Sequence, residues 1–203
     1  MLFFNSPNPA PNPRRVRIFA AEKGITLPTR DLSIPDREHK SDEFLALNPR
    51  GQTPALQLDD GTVISESVAI CRYLEGLHPE LPLFGRDPRE QALIEMWSRR
   101  VEMILMPPVG AVWVHTHPFT ARLPGRNAEW GESNRPRVDE ALRFFDSALH
   151  GREFLAADQY TIADILLLTT VDFAGFVGIA MSDDLVSLRA WYARVSARPS
   201  AAA

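Results

Sequence analysis

Cysteine is almost missing from this chain of 203 residues: Cys71 stands alone, so no internal disulfide can form and no CxxC pair can cycle. An excess of positive charge is missing too. Lys and Arg number 22 against 26 Asp and Glu, a net charge of −4, which excludes a general affinity for nucleic acid or anionic membrane. Long hydrophobic runs are absent: the most apolar stretch, Ile165 to Met181, carries Asp172 and two glycines and is short for a membrane span. The opening Met1-Leu2-Phe3-Phe4-Asn5-Ser6-Pro7 has neither the basic start nor the apolar run of a signal peptide. A soluble, cytoplasmic protein is expected. Tyrosine is scarce, with only Tyr73, Tyr160 and Tyr192, and there are no repeats and no low-complexity tract beyond the alanine tail.

What is present falls into two halves. Residues 1–78 alternate short strands with helices. Leu2-Phe3-Phe4 is a short apolar run bounded by turn formers, a buried strand. Asn12-Pro13 is read as a helix start, asparagine as N-cap and proline at the first helical position, with Val16, Phe19 and Ala20 inward and Lys23-Gly24 at the end. Residues 25–32 fit a second strand, and Phe44-Leu45-Ala46-Leu47 a helical turn. Residues 55–58 and 62–64 flank Asp59-Asp60-Gly61, whose Asp-Gly signals a hairpin. Ile70, Tyr73, Leu74 and Leu77 then recur at helical spacing.

Pro79, Pro82, Gly85 and Pro88 punctuate a linker over 79–87, and residues 88–203 read as purely helical. A helix over about 89–105 is expected to stop or bend at Pro107-Pro108. Others are expected over 136–149 and 185–197. Thr161-Ile162-Ala163-Asp164 has the form of a capping box ahead of Ile165-Leu166-Leu167-Leu168, which is apolar all round and so belongs at the centre of a bundle.

Two motifs carry the chemistry. Gly51-Gln52-Thr53-Pro54-Ala55-Leu56 reads as a loop entering a strand through a proline, expected to be cis, that turns the Thr53 backbone N–H and C=O toward an extended, peptide-like ligand. Ser65-Glu66-Ser67 places two hydroxyls and a carboxylate at a helix start, where free N–H groups attract an anion, with Ser65 as the expected cap. Together they describe a site for a small peptide bearing both carboxylate and ammonium.

Asn48-Pro49-Arg50-Gly51-Gln52-Thr53-Pro54 with Ser65-Glu66-Ser67 resembles the glutathione-binding half of the cytosolic glutathione transferases, and the resemblance extends over essentially the whole chain. It implies an α/β thioredoxin-like N-terminal domain over 1–78 and an all-α C-terminal domain over 88–203. The implied activity is conjugation of glutathione, the co-substrate, to a small hydrophobic electrophile in detoxification, by a homodimer and without metal. Glutathione-dependent disulfide reduction and a non-catalytic interaction module are the alternatives. By the same resemblance Ser67 holds the γ-glutamyl carboxylate, Glu66 faces the ammonium, Thr53 and Pro54 meet the ligand backbone, and His39 or Lys40, with Gln52, reaches the glycine carboxylate. Met103, Met106 and Trp113, with His115 and Phe119, are the candidates for the electrophile pocket.

The group that activates the thiol is an open question in the sequence. The thiol of glutathione resembles that of free cysteine, pKa about 8.5, so a transferase must favour the thiolate with a donor to sulfur. Related families use tyrosine, serine or cysteine after the first strand. No tyrosine is near, and Ala10 stands where many relatives carry serine. Asn12 and Ser6 remain. The Ala10-Pro11-Asn12-Pro13 pattern resembles bacterial Nu-like transferases, in which an asparagine at this offset helps hold the sulfur. One of Arg14, Arg15 and Arg17 is a candidate for the glutathione carboxylates, with a solvated helix face expected for at least two.

Overall fold

The computed structural model describes all 203 residues, which divide into two units: Met1–Pro82 together with Pro199–Ala203, and Leu83–Arg198. The division falls inside the expected linker. The expected helical domain is corrected at its far end, because residues 199–203 group with the first unit: Arg14 donates to the Ala201 carbonyl at 2.8 Å, and the Ser200 hydroxyl bonds Glu22.

The first unit runs β1 (Leu2–Asn5), α1 (Pro11–Glu22), β2 (Thr29–Asp31), α2 (Asp42–Leu47), β3 (Ala55–Gln57), β4 (Val63–Ser65) and α3 (Ser67–Leu77), with a short 3-10 turn at Glu38–Lys40. This is the thioredoxin-like order. The sheet is ordered β2-β1-β3-β4, with β1 and β2 parallel and the other pairs antiparallel. Alternation along β1 sends neighbouring side chains to opposite faces. Phe4 joins Leu32, Phe44 and Ala55 in one apolar cluster, its ring 5.4 Å from that of Phe44 on α2. On α1, Val16, Ile18 and Phe19 are wholly buried, and α1 packs along α3.

The second strand is shorter than expected. After Gly24, at φ +65°, the chain is still tied to α1 through Ile25 N–H and the Ala20 carbonyl, so pairing begins only at Thr29. Lys23 closes α1, its ammonium holding Glu75 at 2.7 Å and the carbonyls of His78 and Glu80.

The second unit is all helical: α4 (Pro88–Arg100), α5 (Met106–Thr116), α6 (Ala128–Ser133), α7 (Arg135–Leu149), α8 (Ile162–Phe176) and α9 (Val186–Ser196). The helix expected to stop or bend at Pro107-Pro108 does not stop there; the irregularity comes just before the prolines. A wide π turn, Val101–Leu105, links α4 to α5. That resets the count so that both prolines lie in the first turn of α5, where a missing N–H breaks no helical bond. No helix is long and apolar enough to cross a membrane.

Asp164 is the polar centre of this unit. The capping box is present, and the carboxylate, fully buried, accepts from Thr161 N–H and hydroxyl, both at 3.0 Å, from Leu155 N–H at 2.9 Å and from the Trp191 indole N–H at 2.9 Å. One side chain thus fixes the start of α8, the loop before it and α9. Removing it strands several buried donors, each at a cost of ~1–3 kcal/mol. Asp164→Ala is therefore expected to lower the unfolding free energy by about 3 kcal/mol or more, read from denaturant midpoints.

Candidate active site

The sheet register begins the site. β1 pairs with β3 so that Phe4 faces Ala55, and two residues further along the same register Ser6 comes opposite Thr53. There the Ser6 and Thr53 hydroxyls hydrogen-bond at 2.7 Å, with Ser6 only 1% exposed. β3 pairs with β4 so that Ala55 faces Ser65, and the chain turns into α3 immediately beyond, at the same end of the sheet. The Thr53–Pro54 peptide bond is cis, as is Asn8–Pro9.

The loop before β3 is held from below by Asn48. Its buried amide donates to the Gln52 carbonyl at 2.8 Å. Gly51 lies at φ +55°, and a Cβ there would sit 2.7 Å from the His39 carbonyl oxygen and 2.8 Å from Lys40 Nζ. Only glycine fits. Lys40 donates to the Arg50 carbonyl at 3.0 Å, while the Gln52 side chain is exposed and accepts from Arg50 Nε at 3.1 Å. His39 is partly buried, its Nδ1 without a partner. Burial, then the charges of Lys40 and Arg37, hold its pKa below the usual histidine value, so the imidazole is neutral at neutral pH.

At the start of α3 the cap is Glu66, not Ser65, which is the last residue of β4. Glu66 is exposed at φ 70° and ψ 120°, a conformation that costs a non-glycine residue ~1–3 kcal/mol. Ser67 follows as the first helical residue and is 5% exposed. Behind it lies Arg15, 3% exposed, with a guanidinium nitrogen 3.5 Å from Ser67 Oγ.

The three arginines of α1 are not a solvated face. Arg15 is buried, and Arg14 reaches Ala201. Arg17 donates to the side-chain oxygens of Asn5 and Asn8, each at 2.6 Å, and to the Ser6 carbonyl at 3.2 Å. It therefore fixes the loop that leads into α1.

The start of α1 also differs from expectation. Ala10 is the cap, and Asn12 is the second helical residue rather than the N-cap. Pro11 and Pro13 carry no N–H, so Asn12 alone offers a backbone donor among the first three helical positions. Its side chain is not engaged as a cap, and its Oδ1 is buried without a hydrogen-bond partner. Cys71 is buried within α3, and burial pushes its thiol pKa far up, so it is no thiolate nucleophile.

In the helical unit the expected residues do not share one environment. Met103, on the π turn, is 72% exposed, whereas Met106 sulfur lies 4.0 Å from Thr170 Oγ1. Trp113 belongs to an aromatic cluster with His117, Phe119, Phe173 and Phe176, ring centroids 4.6–5.6 Å away. His115 and His117 each accept a backbone N–H at Nδ1, from Asn127 and Phe119.

Residues 10–77 match the family model of the glutathione S-transferase N-terminal domain, and residues 105–199 match that of the C-terminal domain. Glutathione S-transferase 2 of Saccharomyces cerevisiae is 36% identical, over 98% of this chain and 87% of that protein. The chain belongs to the glutathione S-transferase family. Crystal structures of relatives agree with the fold: yeast Gtt2 at a TM-score of 0.92 and 35% identity, covering 98% of both chains. A glutathione S-transferase domain-containing protein of Marinobacter aquaeolei gives 0.91 and 36%, covering 98% of this chain and 99% of that one. A class Gtt2 transferase of Vibrio parahaemolyticus gives 0.83 and 34%, covering 98% and 94%.

In this transferase-family chain the structural roles that sequence reading missed are those of Gly51 and Asn48, while of the three arginines named as candidates it is Arg15 that lies beside Ser67. Arg15 did have a signal, since it lies three and four positions before Ile18 and Phe19 and so breaks the apolar face of α1. Gly51→Ala is expected to cost about 2 kcal/mol or more, from the positive φ and the contact with His39. A lower melting temperature together with weaker glutathione binding is the expected result.

Proposed function

We propose that the chain conjugates the thiolate of glutathione to small hydrophobic electrophiles, as a cytoplasmic homodimer serving detoxification. One observation carries the reading: the Asn12 side chain, not spent as a cap, stands beside the single backbone N–H in the first turn of α1. The Nδ2 end of the carboxamide supplies donors and the Oδ1 end only accepts, so it is Nδ2 that would meet a thiolate. The Asn12 amide and the positive end of α1 would then favour sulfur as thiolate, in the manner of the Nu-like pattern. A charge-assisted hydrogen bond contributes ~1.5–3 kcal/mol, and one pKa unit is about 1.4 kcal/mol, so one or two such donors bring a thiol of pKa about 8.5 to neutral pH.

Around that centre, Thr53 pairs its backbone with the cysteinyl residue of glutathione, and the γ-glutamyl carboxylate sits at the start of α3 on Ser67, with Arg15 behind. Glu66 takes the ammonium. His39 is favoured for the glycine carboxylate because the Lys40 ammonium already holds the Arg50 carbonyl. Ser6 is assigned to positioning Thr53 rather than to sulfur, since it is 1% exposed and its hydroxyl lies 2.7 Å from that of Thr53. The thiol proton leaves to solvent on binding, the sulfur pair forms the new bond to the electrophilic carbon, and the leaving group departs with its own pair. The assignment of Met103, Met106 and Trp113 to the electrophile rests on the family resemblance, since the three lie in different surroundings.

Asn12→Ala is expected to lower kcat about tenfold or more, as loss of 1.4 kcal/mol or more requires. It should also abolish the proton release seen when glutathione is titrated calorimetrically in two buffers of different ionisation enthalpy. Affinity for S-methylglutathione, which has no thiol to ionise, should stay unchanged; unchanged turnover would remove Asn12 from this role. Arg15→Met and Ser67→Ala should instead weaken both ligands, by about 10- to 100-fold for loss of a charge-assisted bond.

The two candidates for the glycine carboxylate separate by pH. A carboxylate arriving beside neutral His39 favours the imidazolium and raises its pKa, so binding takes up a proton. Affinity for S-methylglutathione should therefore rise as pH falls through the His39 pKa of the complex and be level above it. His39→Gln should flatten that slope. A slope that survives the substitution assigns the carboxylate elsewhere.

A further inference from the structure

The helical unit carries a cavity that the glutathione site does not use. It holds about 150 Å³ between α7, α8, α9 and the loop after α8. Its floor is Leu142, Val171 and Ala174, each at most 5% exposed, and Ile179 and Met181 of the loop form a wall. A cavity of this size and lining holds a molecule on the scale of benzene. The only charge and the only hydroxyl in the lining face each other: the Tyr192 hydroxyl donates to the Asp172 carboxylate at 2.5 Å.

Two further observations mark the cavity as a built feature. The loop is pinned by three arginines of the flanking helices. Arg135 donates to the Gly178 carbonyl at 3.4 Å, Arg189 to the Met181 carbonyl at 3.4 Å and to Asp183, and Arg143 to Asp184 at 2.6 Å. The wall is thereby set before any ligand arrives, which reduces the ordering that binding must impose. Gly175 is the other. It lies inside α8 without a positive φ, and a Cβ on it would meet nothing within 4 Å. Neither backbone conformation nor a close neighbour requires glycine there, although glycine in a helix costs about 1 kcal/mol against alanine. It is an exposed part of the cavity lining, and the space a side chain would take there is open.

We propose that this cavity is a second small-molecule site, selective for a primary amine on a compact aromatic or branched apolar body. The polar pair decides the class. A tyrosine hydroxyl has one hydrogen, and here it is directed to Asp172, so what side-chain polarity the lining turns to a ligand is acceptor capacity. A carboxylate accepts several hydrogen bonds, and an ammonium brings three donors and the opposite charge. The ring or branched chain then lies on Leu142, Val171 and Ala174. Anionic ligands meet Asp172 and are refused.

The test uses the full chain with 13C-methyl methionine. Of the five methionines only Met181 lines the cavity, so it reports the site directly. Benzylamine should shift the Met181 signal saturably, in the millimolar range or below, with the other four signals unmoved. Benzyl alcohol, its neutral counterpart, should bind about tenfold more weakly or worse, the scale of a charge-assisted bond. Asp172→Asn should erase that preference. Gly175→Leu should fill the mouth and abolish the shift, while glutathione binding shows that the variant is folded. Equal binding of amine and alcohol would overturn the assigned class. An unchanged Met181 titration in Gly175→Leu, or no saturable shift in the parent protein, would overturn the site.

Discussion

The pairing register of β3 with its two neighbours is the constraint on which the first unit depends. It sets Phe4 against Phe44 and Leu32 in the core, and it also brings Ser6 beside Thr53 and delivers the chain from Ser65 into α3. A slip of one residue would reverse every side chain of β3. Ala55 and Leu56 are both wholly buried, on opposite faces of the sheet, so neither face tolerates the exchange. Packing and candidate site are therefore one specification: the same register that fills the core brings Ser6 to Thr53 and Ser65 to the start of α3.

The two helix starts at this end of the sheet have opposite donor inventories. α3 opens with Ser67, Val68 and Ala69, three N–H groups ahead of the first helical bond, that of Ile70 to Glu66. With the Ser67 hydroxyl and Arg15, that end suits a carboxylate, which accepts several bonds at once. α1 opens with Pro11-Asn12-Pro13 and keeps one N–H. A single thiolate sulfur, as proposed above for this end, asks for fewer donors than a carboxylate does. The strained cap at Glu66 belongs to the same economy of placement, since an ordinary extended cap would aim α3 and its donors differently.

Much of this was legible because local chemistry and global fold agree. The hairpin at Asp60-Gly61, the Thr161 to Asp164 box and the all-apolar start of α8 each have a single good structural solution. What resisted reading depended on neighbours distant in sequence. Asparagine before proline is a fair cap, yet Ala10 and Pro11 already start the helix and leave Asn12 inside it. Pro107-Pro108 looked terminal because periodicity alone cannot foresee a π turn placing both in a fresh first turn. The sequence could not say which of Arg14, Arg15 and Arg17 leaves the solvated face, and only the approach of Ser67, 52 residues on, singles out Arg15.

The return of residues 199–203 to the first unit has a consequence for how the chain is made. Arg14 and Ala201 are 187 residues apart, so the element that packs on α1 follows the whole helical unit in the chain. During elongation at the ribosome, the strands and helices of residues 1–82 emerge first and wait, with the face of α1 that Ser200 and Ala201 will cover still open to water. The helical unit is completed within that interval. The first unit therefore begins to emerge before the helical unit and cannot be completed until after it, across a closed loop that spans nearly the whole of these residues.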